Sequence, residues 1–199
     1  MRFLAPVAIF LATTGLPAAA HAQDAAAAPI KTLSDGLVAI MKGGKKLGFA
    51  GRAGQIAPVV DKVFDLPLMT RLAVGAPWNA ATPAERSALV SAIRKLTINQ
   101  YAANFDAWAG QAFVIDPNVA ARGTDKLVKT KLTAPKDAPV SIAYRLRQSG
   151  AEWRVIDVFY QNSISQLATR RADFDGILGK GGVQALIGHV NALADKAAN

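Results

Sequence analysis

The sequence predicts an α+β domain in which a four-stranded antiparallel meander sheet packs against helices from both ends of the chain. Apolar residues recur at helical spacing over residues 30–108 and again after residue 163, whereas residues 111–160 contain runs that alternate between polar and apolar side chains. Sequential strands with short connections favour antiparallel pairing. Because no repeat and no linker divides the chain, we expect residues 30–199 to form one domain.

Residues 1–22 have the three parts of a secretory signal peptide. A positive charge at Arg2 precedes an apolar run, and Ala20-His21-Ala22 supplies the small-residue pattern of a cleavage site. The apolar run is too short to span a bilayer. We therefore expect cleavage after Ala22, a flexible leader over residues 23–29, and export to the periplasm.

The outer helices are predicted from apolar spacing and from glycines. Residues 30–41 have one apolar stripe, and Gly43-Gly44 predicts the end of that helix. Residues 45–55 are rich in glycine and basic side chains, which predicts a loop or a short broken helix. The last helix begins near Ser163 and is predicted to break at residues 179–182, where three of four residues are glycine.

The inner helices have clearer start signals. Residues 56–74 have helical spacing, with a kink predicted at Pro67 and a cap from Asp65. The run Thr82-Pro83-Ala84-Glu85 is a capping box with proline at the first helical position. The helix that it begins is predicted to extend to about Trp108.

Four strands are predicted between these helices. They are residues 112–115, 125–133, 140–147 and 152–160. The run Gln148-Ser149-Gly150-Ala151 supplies a tight turn between the last two. Simple alternation would place Trp153, Val155, Asp157 and Phe159 on one face of the last strand. It would place Arg154, Ile156, Val158 and Tyr160 on the other.

Side chains able to catalyse a reaction are scarce. After cleavage one histidine remains, His189, which excludes a multi-histidine metal site, and the absence of cysteine excludes thiol chemistry and zinc–thiolate sites. Asp157 lies in an apolar strand; we interpret it as the partner of an arginine such as Arg145 or as a cap for the following segment, with proton transfer as the remaining alternative. We expect no catalytic residue, no metal and no cofactor.

Charge and hydrophobicity both favour a lipid or a membrane surface as partner. The formal net charge is +9, and loss of residues 1–22 lowers it by one, to +8. An exported basic protein meets anionic headgroups and acidic proteins rather than nucleic acid; the alternative is that the charge serves solubility alone. Residues 59–78 and the last strand are apolar on more than one face, which indicates either an ordinary core or a cavity between sheet and helices. Burial of an acyl chain there gains about 0.8 kcal/mol per methylene.

Several stretches occur together in a recognisable order. They are Phe64-Asp65-Leu66-Pro67-Leu68-Met69, Leu72-Ala73-Val74-Gly75-Ala76-Pro77-Trp78, Thr82-Pro83-Ala84-Glu85-Arg86, Leu96 to Tyr101 with Phe105, Ile142 to Leu146, Trp153 to Val158, and Ser163-Ile164-Ser165 leading to Arg170-Arg171-Ala172-Asp173-Phe174. Through them the sequence resembles the MlaC-like, or toluene-tolerance, family of periplasmic lipid-binding proteins. The resemblance implies a monomeric carrier that moves phospholipid between an inner-membrane ABC transporter and an outer-membrane lipoprotein complex, with the lipid tails between sheet and helices.

The resemblance also indicates regions for the site. The implied pocket lining is Val63, Phe64, Leu68, Met69, Leu72, Trp153, Val155 and Phe159. The arginines expected at a headgroup or a docking surface are Arg145, Arg147, Arg170 and Arg171.

One departure and two other functions remain open. Residues 160–165 differ from the glycine-valine-serine type of stretch that the family often has, and with residues 167–174 they are more similar to the branch associated with hopanoid biosynthesis. The cargo is therefore phospholipid or a hopanoid-type polycyclic lipid. The other functions are a small exported enzyme that uses Asp157 or Tyr144, and an adaptor that binds only proteins.

Overall fold

The computed structural model describes residues 24–198, so the predicted signal peptide lies outside the described residues. The helices are α1 (Ala27–Val63), α2 (Leu66–Val74), α3 (Pro77–Ala80), α4 (Pro83–Asn104) and α5 (Gln166–Ala198). The strands are β1 (Ala112–Ile115), β2 (Ala120–Arg122), β3 (Asp125–Thr133), β4 (Val140–Ser149), β5 (Glu152–Tyr160) and β6 (Ile164–Ser165). The described part of the chain holds no helix with the length and hydrophobicity that a membrane span requires.

The strands form a six-stranded sheet in the order β1-β3-β4-β5-β6, with β2 paired to another part of β3. All these pairs are antiparallel, which confirms the predicted α+β fold and antiparallel sheet. The predicted number of four strands is wrong because β2 and β6 were missed. They have three and two residues, which is too short to show an alternating pattern.

The amino-terminal end of the described chain is held against the domain. The Asp24 carboxylate accepts a hydrogen bond from the Ala26 amide at 2.9 Å and pairs with Lys126 Nζ on β3 at 2.6 Å. Ala26 and Ala27 are buried. The described part of the predicted leader, residues 23–29, thus makes a backbone hydrogen bond, an ion pair and core contacts.

Helix α1 is broken inside its range by two glycines. Gly44 has φ 48° and Gly48 has φ 62°, which only glycine adopts readily. The buried guanidinium of Arg52 donates to the carbonyl oxygen of Gly44 at 3.0 Å and to that of Ala102, near the end of α4, at 2.8 Å. The positive charge of Arg52 thus lies at the carboxyl ends of two helical segments, where it stabilises their exposed carbonyl groups. The glycines predict the break, but the role of Arg52 was not predicted.

The break between α1 and α2 lies at Phe64 and Asp65. Phe64 forms an isolated parallel bridge with Val155 of β5, and the Asp65 amide donates to the Val155 carbonyl oxygen at 2.9 Å. The Asp65 carboxylate accepts from the Leu68 amide at 3.0 Å, which confirms the predicted cap. Pro67 lies in the first turn of α2, where no intrahelical amide bond is needed, so the chain breaks before it rather than at it.

The predicted signals at the ends of the later helices are confirmed in part. The Thr82 amide donates to Glu85 Oε2 at 2.8 Å in the predicted capping box of α4. Helix α4 ends at Asn104, earlier than predicted, and the Trp108 indole donates to the Gln111 carbonyl oxygen in the following segment at 3.0 Å. Helix α5 is broken at Gly182, where φ is 65°, within the predicted break.

The core lies between the helices and one face of the sheet. Its buried members from the three central strands are Val128, Tyr144, Leu146, Val155 and Ile156. Buried residues from α1, α2, α4 and α5 pack against them, including Leu33, Val60, Leu89 and Phe174 in the same cluster. The opposite face of the sheet carries most of the arginines and lysines of β3 and β4.

A bulge in β5 changes which residues share a face. Arg145 pairs with Asp157, but the next residue of β4, Leu146, pairs with Val155, so one residue of β5 is extra. Val158 therefore joins Val155 on the helix-covered face, and Phe159 lies on the opposite face. The prediction from simple alternation is wrong here because a bulge shifts the period-2 pattern by one residue.

Asp157 fixes the start of the last helix. Its side chain is buried, and Oδ1 accepts hydrogen bonds from the amides of Val158 at 2.8 Å and Leu167 at 3.0 Å. Oδ2 accepts from Ser165 Oγ at 2.6 Å. The capping alternative is therefore the observed one. The expected ion pair with Arg145 is replaced, because that arginine binds Asp125.

We expect Asp157→Ala to lower the free energy of unfolding by about 1–3 kcal/mol, because three buried or half-buried donors lose their acceptor. Urea unfolding followed by circular dichroism measures this. Asp173→Ala, which removes an exposed carboxylate on α5, is the matched control and should stay within about 0.5 kcal/mol of the parent. Equal urea midpoints for the two variants would show that the cap contributes nothing.

Candidate binding cavity

A cavity of about 230 Å³ lies where α2, α4, β5 and the start of α5 meet. The residues that line it come from these elements and from the break before α2. They are Phe64, Met69, Ala73, Ile93, Thr97, Gln100, Tyr101, Asn104, Phe105, Val158, Gln166, Leu167 and Arg170. The cavity lies on the helix-covered side of the sheet, as the cavity hypothesis expected.

One helix, α4, supplies more than a third of the lining. Ile93, Thr97, Gln100, Tyr101 and Asn104 follow one another at steps of three, one or four residues, so they lie along one side of α4. The hydroxyl of Thr97 donates to the Ile93 carbonyl oxygen at 2.8 Å, so it is satisfied within the helix. The middle part of the cavity wall is therefore apolar in effect.

Aromatic rings extend from the cavity along the core. The ring centroids of Phe64 and Tyr101 are 6.0 Å apart, those of Tyr101 and Phe105 are 5.9 Å apart, and those of Phe105 and Phe113 are 6.3 Å apart. Burial raises the pKa of the Tyr101 phenol above its usual value, so it stays neutral. The cavity side of this row is suited to hydrocarbon.

Arg170 is the one charged group among the described lining residues. Its Nη2 donates to Gln100 Oε1 at 3.0 Å, and burial lowers the pKa of the guanidinium while Tyr101 and Asp157 act in the opposite direction. No ion pair within residues 24–198 includes Arg170. The guanidinium is half-buried and its hydrogen bond is to a neutral amide, so an anionic ligand would add a charge-assisted contact there.

Comparison with known proteins identifies the family. The model of the family described as MlaC protein matches residues 31–192. The chain belongs to the MlaC family. A phospholipid-binding protein from Ralstonia solanacearum, solved in complex with a phospholipid, is similar in structure with a TM-score of 0.73. It is 27% identical, and the match covers 87% of this chain and 99% of that chain. No curated protein matches the sequence.

Three of the predicted site residues line the cavity of this MlaC-family chain: Phe64, Met69 and Arg170. Val63 and Val155 are fully buried in the core, while Leu68 and Leu72 are half-buried on other sides of α2. At these four positions, an excess of apolar residues in the sequence could not distinguish residues that line the cavity from residues that pack in the core.

The two remaining apolar candidates lie elsewhere. Trp153 lines a separate depression beside the amino-terminal end of α1, and Lys126 Nζ lies 4.8 Å from the centre of its ring. Phe159 lies on the opposite face of the sheet, in a depression with Arg122 and Arg145, because the bulge puts Val158 at the cavity instead.

The other three predicted arginines are also outside the cavity. Arg145 and Arg147 both bind the carboxylate of Asp125 on the face of the sheet opposite the helices. Arg171 is exposed and its guanidinium lies against Gly75 at the end of α2. Arg170 and Arg171, adjacent in sequence, thus have different surroundings.

The residues of α4 that line the cavity were not predicted as site residues from the sequence. Their signal was present as a helical stripe that mixes large apolar residues with Thr97, Gln100 and Asn104. A stripe of that kind is also typical of a helix at the edge of a core, so spacing alone could not distinguish the two.

The residues considered for catalysis do not line the cavity. Both carboxylate oxygens of Asp157 accept hydrogen bonds that hold the start of α5. Tyr144 is buried in the core, and burial raises the pKa of its phenol. Neither group is placed to exchange a proton with a ligand in the cavity.

Asp125 and its two arginines make stability depend on pH. Hydrogen bonding from Arg147 and Arg145 lowers the pKa of the Asp125 carboxyl, whose side chain is 1% exposed. A lowered folded-state pKa gives stability that is complete above the unfolded value of about 3.9 and is lost as the pH falls through the folded value.

We expect Asp125→Asn to lower the free energy of unfolding at pH 7 by about 2 kcal/mol, the size of charge-assisted hydrogen bonds. The difference from the parent should shrink as the pH falls below about 4. Urea unfolding at several pH values measures it. Asp61→Asn, which removes an exposed pair with Arg94, should cost no more than about 1 kcal/mol at pH 7. A difference for Asp125→Asn that does not change with pH would contradict the assignment.

Proposed function

We propose that this MlaC-family protein is a non-enzymatic carrier of phospholipid, with acyl tails in the cavity and the phosphate at Arg170. The observation that carries the proposal is a half-buried guanidinium, hydrogen-bonded to a neutral amide, on the wall of an apolar and aromatic cavity. The phospholipid in the similar protein from Ralstonia solanacearum supports the same class of ligand.

Tail burial is the main source of binding free energy. Each methylene removed from water contributes about 0.8 kcal/mol, and the side chains of Phe64, Met69 and Leu167 offer hydrocarbon contact. At about 230 Å³, the cavity is smaller than the roughly 300–1,000 Å³ that is usual for ligand pockets. We therefore propose that α2 and α5 move apart from β5 when a whole phospholipid enters.

Arg170 gives the site its preference for an anionic lipid. A guanidinium can donate two parallel hydrogen bonds to a phosphate, and Gln100 holds it by its Nη2 atom. A polycyclic hydrocarbon of the hopanoid type would fill the cavity but leave that charge without an anionic partner. We therefore favour a phospholipid as cargo.

The route proposed for the cargo follows from family membership and from the export signal. The carrier would act in the periplasm, after cleavage behind Ala22, between an inner-membrane ABC transporter and an outer-membrane lipoprotein complex. No cofactor or metal enters this function, since lipid is taken up and released without a chemical step.

Native mass spectrometry of the purified protein, expressed from the full sequence, tests the proposal. We expect a mass increase equal to one phospholipid, and the released lipid should be identified by fragmentation. A polycyclic lipid in place of phospholipid would correct the cargo. No bound lipid, together with no extraction from phospholipid vesicles, would reject the carrier function.

Filling the cavity should prevent binding. Ala73 on α2 is buried and lines the cavity, so Ala73→Phe should reduce co-purified phospholipid at least about tenfold by occupying space that tails need. Ala84→Phe, exposed at the start of α4, is the matched control and should keep the lipid. Thermal unfolding checks that each variant folds. If Ala73→Phe is unstable, Thr97→Leu fills the cavity from the opposite wall. A folded variant of either kind that still carries a full equivalent of phospholipid would show that the lipid binds outside this cavity.

Removing the cavity charge should weaken phospholipid binding without unfolding the protein. Arg170→Gln loses a charge-assisted contact to phosphate, so we expect roughly 10- to 100-fold weaker binding in a vesicle extraction assay. The free energy of unfolding should change by less than about 1 kcal/mol, because within residues 24–198 the half-buried Arg170 makes no ion pair and its hydrogen bond to Gln100 is exposed. Arg171→Gln, its exposed neighbour, should bind like the parent. Equal losses in both variants would indicate a surface charge effect.

A further inference from the structure

We propose that the surface at the carboxyl end of α4 docks the protein on an anionic lipid bilayer. The residues of this surface, called the Trp108 patch below, are Lys42, Lys45, Lys46, Leu47, Phe49 and Trp108. The inference extends the proposed carrier function by naming how the protein meets a membrane. It does not depend on what the cavity holds, because vesicle binding and lipid occupancy are measured separately.

The break in α1 brings the patch together. The non-helical conformations of Gly44 and Gly48 turn the chain between the two segments of α1, and Arg52 ties that turn to the end of α4 by its bonds to Gly44 and Ala102. A side chain at Gly44 would lie 3.3 Å from the backbone oxygen of Asp106, so the turn and the segment after α4 run side by side.

The patch exposes apolar surface around a fixed indole ring. Trp108 is 48% exposed, yet its Nε1 is held by the Gln111 carbonyl oxygen at 3.0 Å. Leu47 lies over Gly43 and Gly51 of its own helix, and both Leu47 and Phe49 are half-buried and lie outside the core cluster. Tryptophan with its polar edge satisfied is typical of the boundary between headgroups and hydrocarbon.

One lysine lies over the Trp108 ring, and two more follow the Gly44 turn directly in the chain. Lys42 Nζ lies 5.1 Å from the centre of the Trp108 ring, and Lys45 and Lys46 are exposed. Within residues 24–198 none of the three lysines forms an ion pair. The carboxylates nearest in the chain are Asp35, which pairs with Lys31, and Asp106, which is exposed at the border of the patch. The patch is therefore cationic, complementary to anionic headgroups, and its long lysine stems can extend toward them.

The patch is continuous with the wall of the cavity. Phe105 lines the cavity, and its ring contacts that of Phe113 at a centroid distance of 6.3 Å. Phe113 in turn lines a depression of about 380 Å³ together with Lys42 and Trp108. One pair of aromatic rings separates the cavity from the proposed bilayer contact. This arrangement of aromatic, apolar and cationic groups beside a hydrocarbon cavity favours a bilayer over an acidic protein surface.

Vesicle sedimentation tests the proposal with the protein expressed from the full sequence. We expect binding to vesicles of phosphatidylglycerol and phosphatidylethanolamine, weak binding to vesicles of phosphatidylcholine, and a decrease as salt rises. Tryptophan fluorescence should shift to the blue on binding, and Trp108→Phe should remove most of that shift. Lipid occupancy is followed in parallel by native mass spectrometry.

Paired charge reversals separate the patch from the overall charge of the protein. Lys45→Glu with Lys46→Glu should weaken binding to anionic vesicles at least about tenfold. Lys129→Glu with Lys131→Glu makes the same change of charge on the opposite face of the sheet, at two exposed positions, and should have a smaller effect. Trp108→Ala should weaken binding while a control at exposed Tyr160, Tyr160→Ala, should not.

Three results would overturn the proposal. The first is equal loss of vesicle binding in the two paired reversals, which would show a non-specific charge effect. The second is unchanged binding in the patch variants with their fold and lipid occupancy intact. The third is a lipid-loaded parent protein that binds neither kind of vesicle, which would leave only a protein partner for this surface. Loss of lipid occupancy with vesicle binding retained would reject the carrier function alone.

Discussion

The geometry of the site depends on the buried carboxylate of Asp157. It joins β5 to β6 through Ser165 and to the first turn of α5 through the Leu167 amide. Because α5 starts at this fixed point, Leu167 and Arg170, one turn apart, both reach the cavity. The same helix then packs along α4, so one acceptor determines where a long element begins and which of its sides faces the ligand.

The rest of the cavity is built by irregular positions rather than by regular ones. Phe64 lies at the break between α1 and α2, where the chain touches β5 through Val155. Val158 reaches the cavity because a bulge shifts the alternation of β5. An unbroken helix and a regular strand would pack closely at these two positions. The break before α2 and the bulge in β5 instead leave a space, and α4 forms one wall of it.

The features that were predictable from sequence are those with local causes. The capping box at Thr82 and the cap at Asp65 depend on residues within three positions, and the glycine breaks of α1 and α5 depend on backbone freedom at one residue. Strands β3 and β4 also carry their own alternation. Such signals lie in a short window of sequence, and the structure confirms them.

The features that could not be predicted depend on distant partners. The bulge of β5 is defined only by its pairing with β4. Arg145 binds the Asp125 carboxylate of the neighbouring strand, so Asp157 is available to cap α5. In sequence, Arg170 and Arg171 are equivalent arginines on one helix turn. Only the packing of α5 on α4 separates the half-buried Arg170 at the cavity from the exposed Arg171.

The size of the cavity and the charge on its wall bear on the same proposed step, the opening of the protein when lipid enters. The Arg170 guanidinium donates to Gln100, and the apolar walls enclose about 230 Å³. Opening must break contacts between α2, α5 and β5, and roughly ten buried methylenes would supply about 8 kcal/mol toward that cost. Phosphate at Arg170 adds a charge-assisted contact only once the lipid is inside. A ligand that binds only the open form shifts the population toward that form, so tail burial and charge pairing would both favour opening. Release of the lipid would then require a surface that is as apolar for the tails as the cavity is.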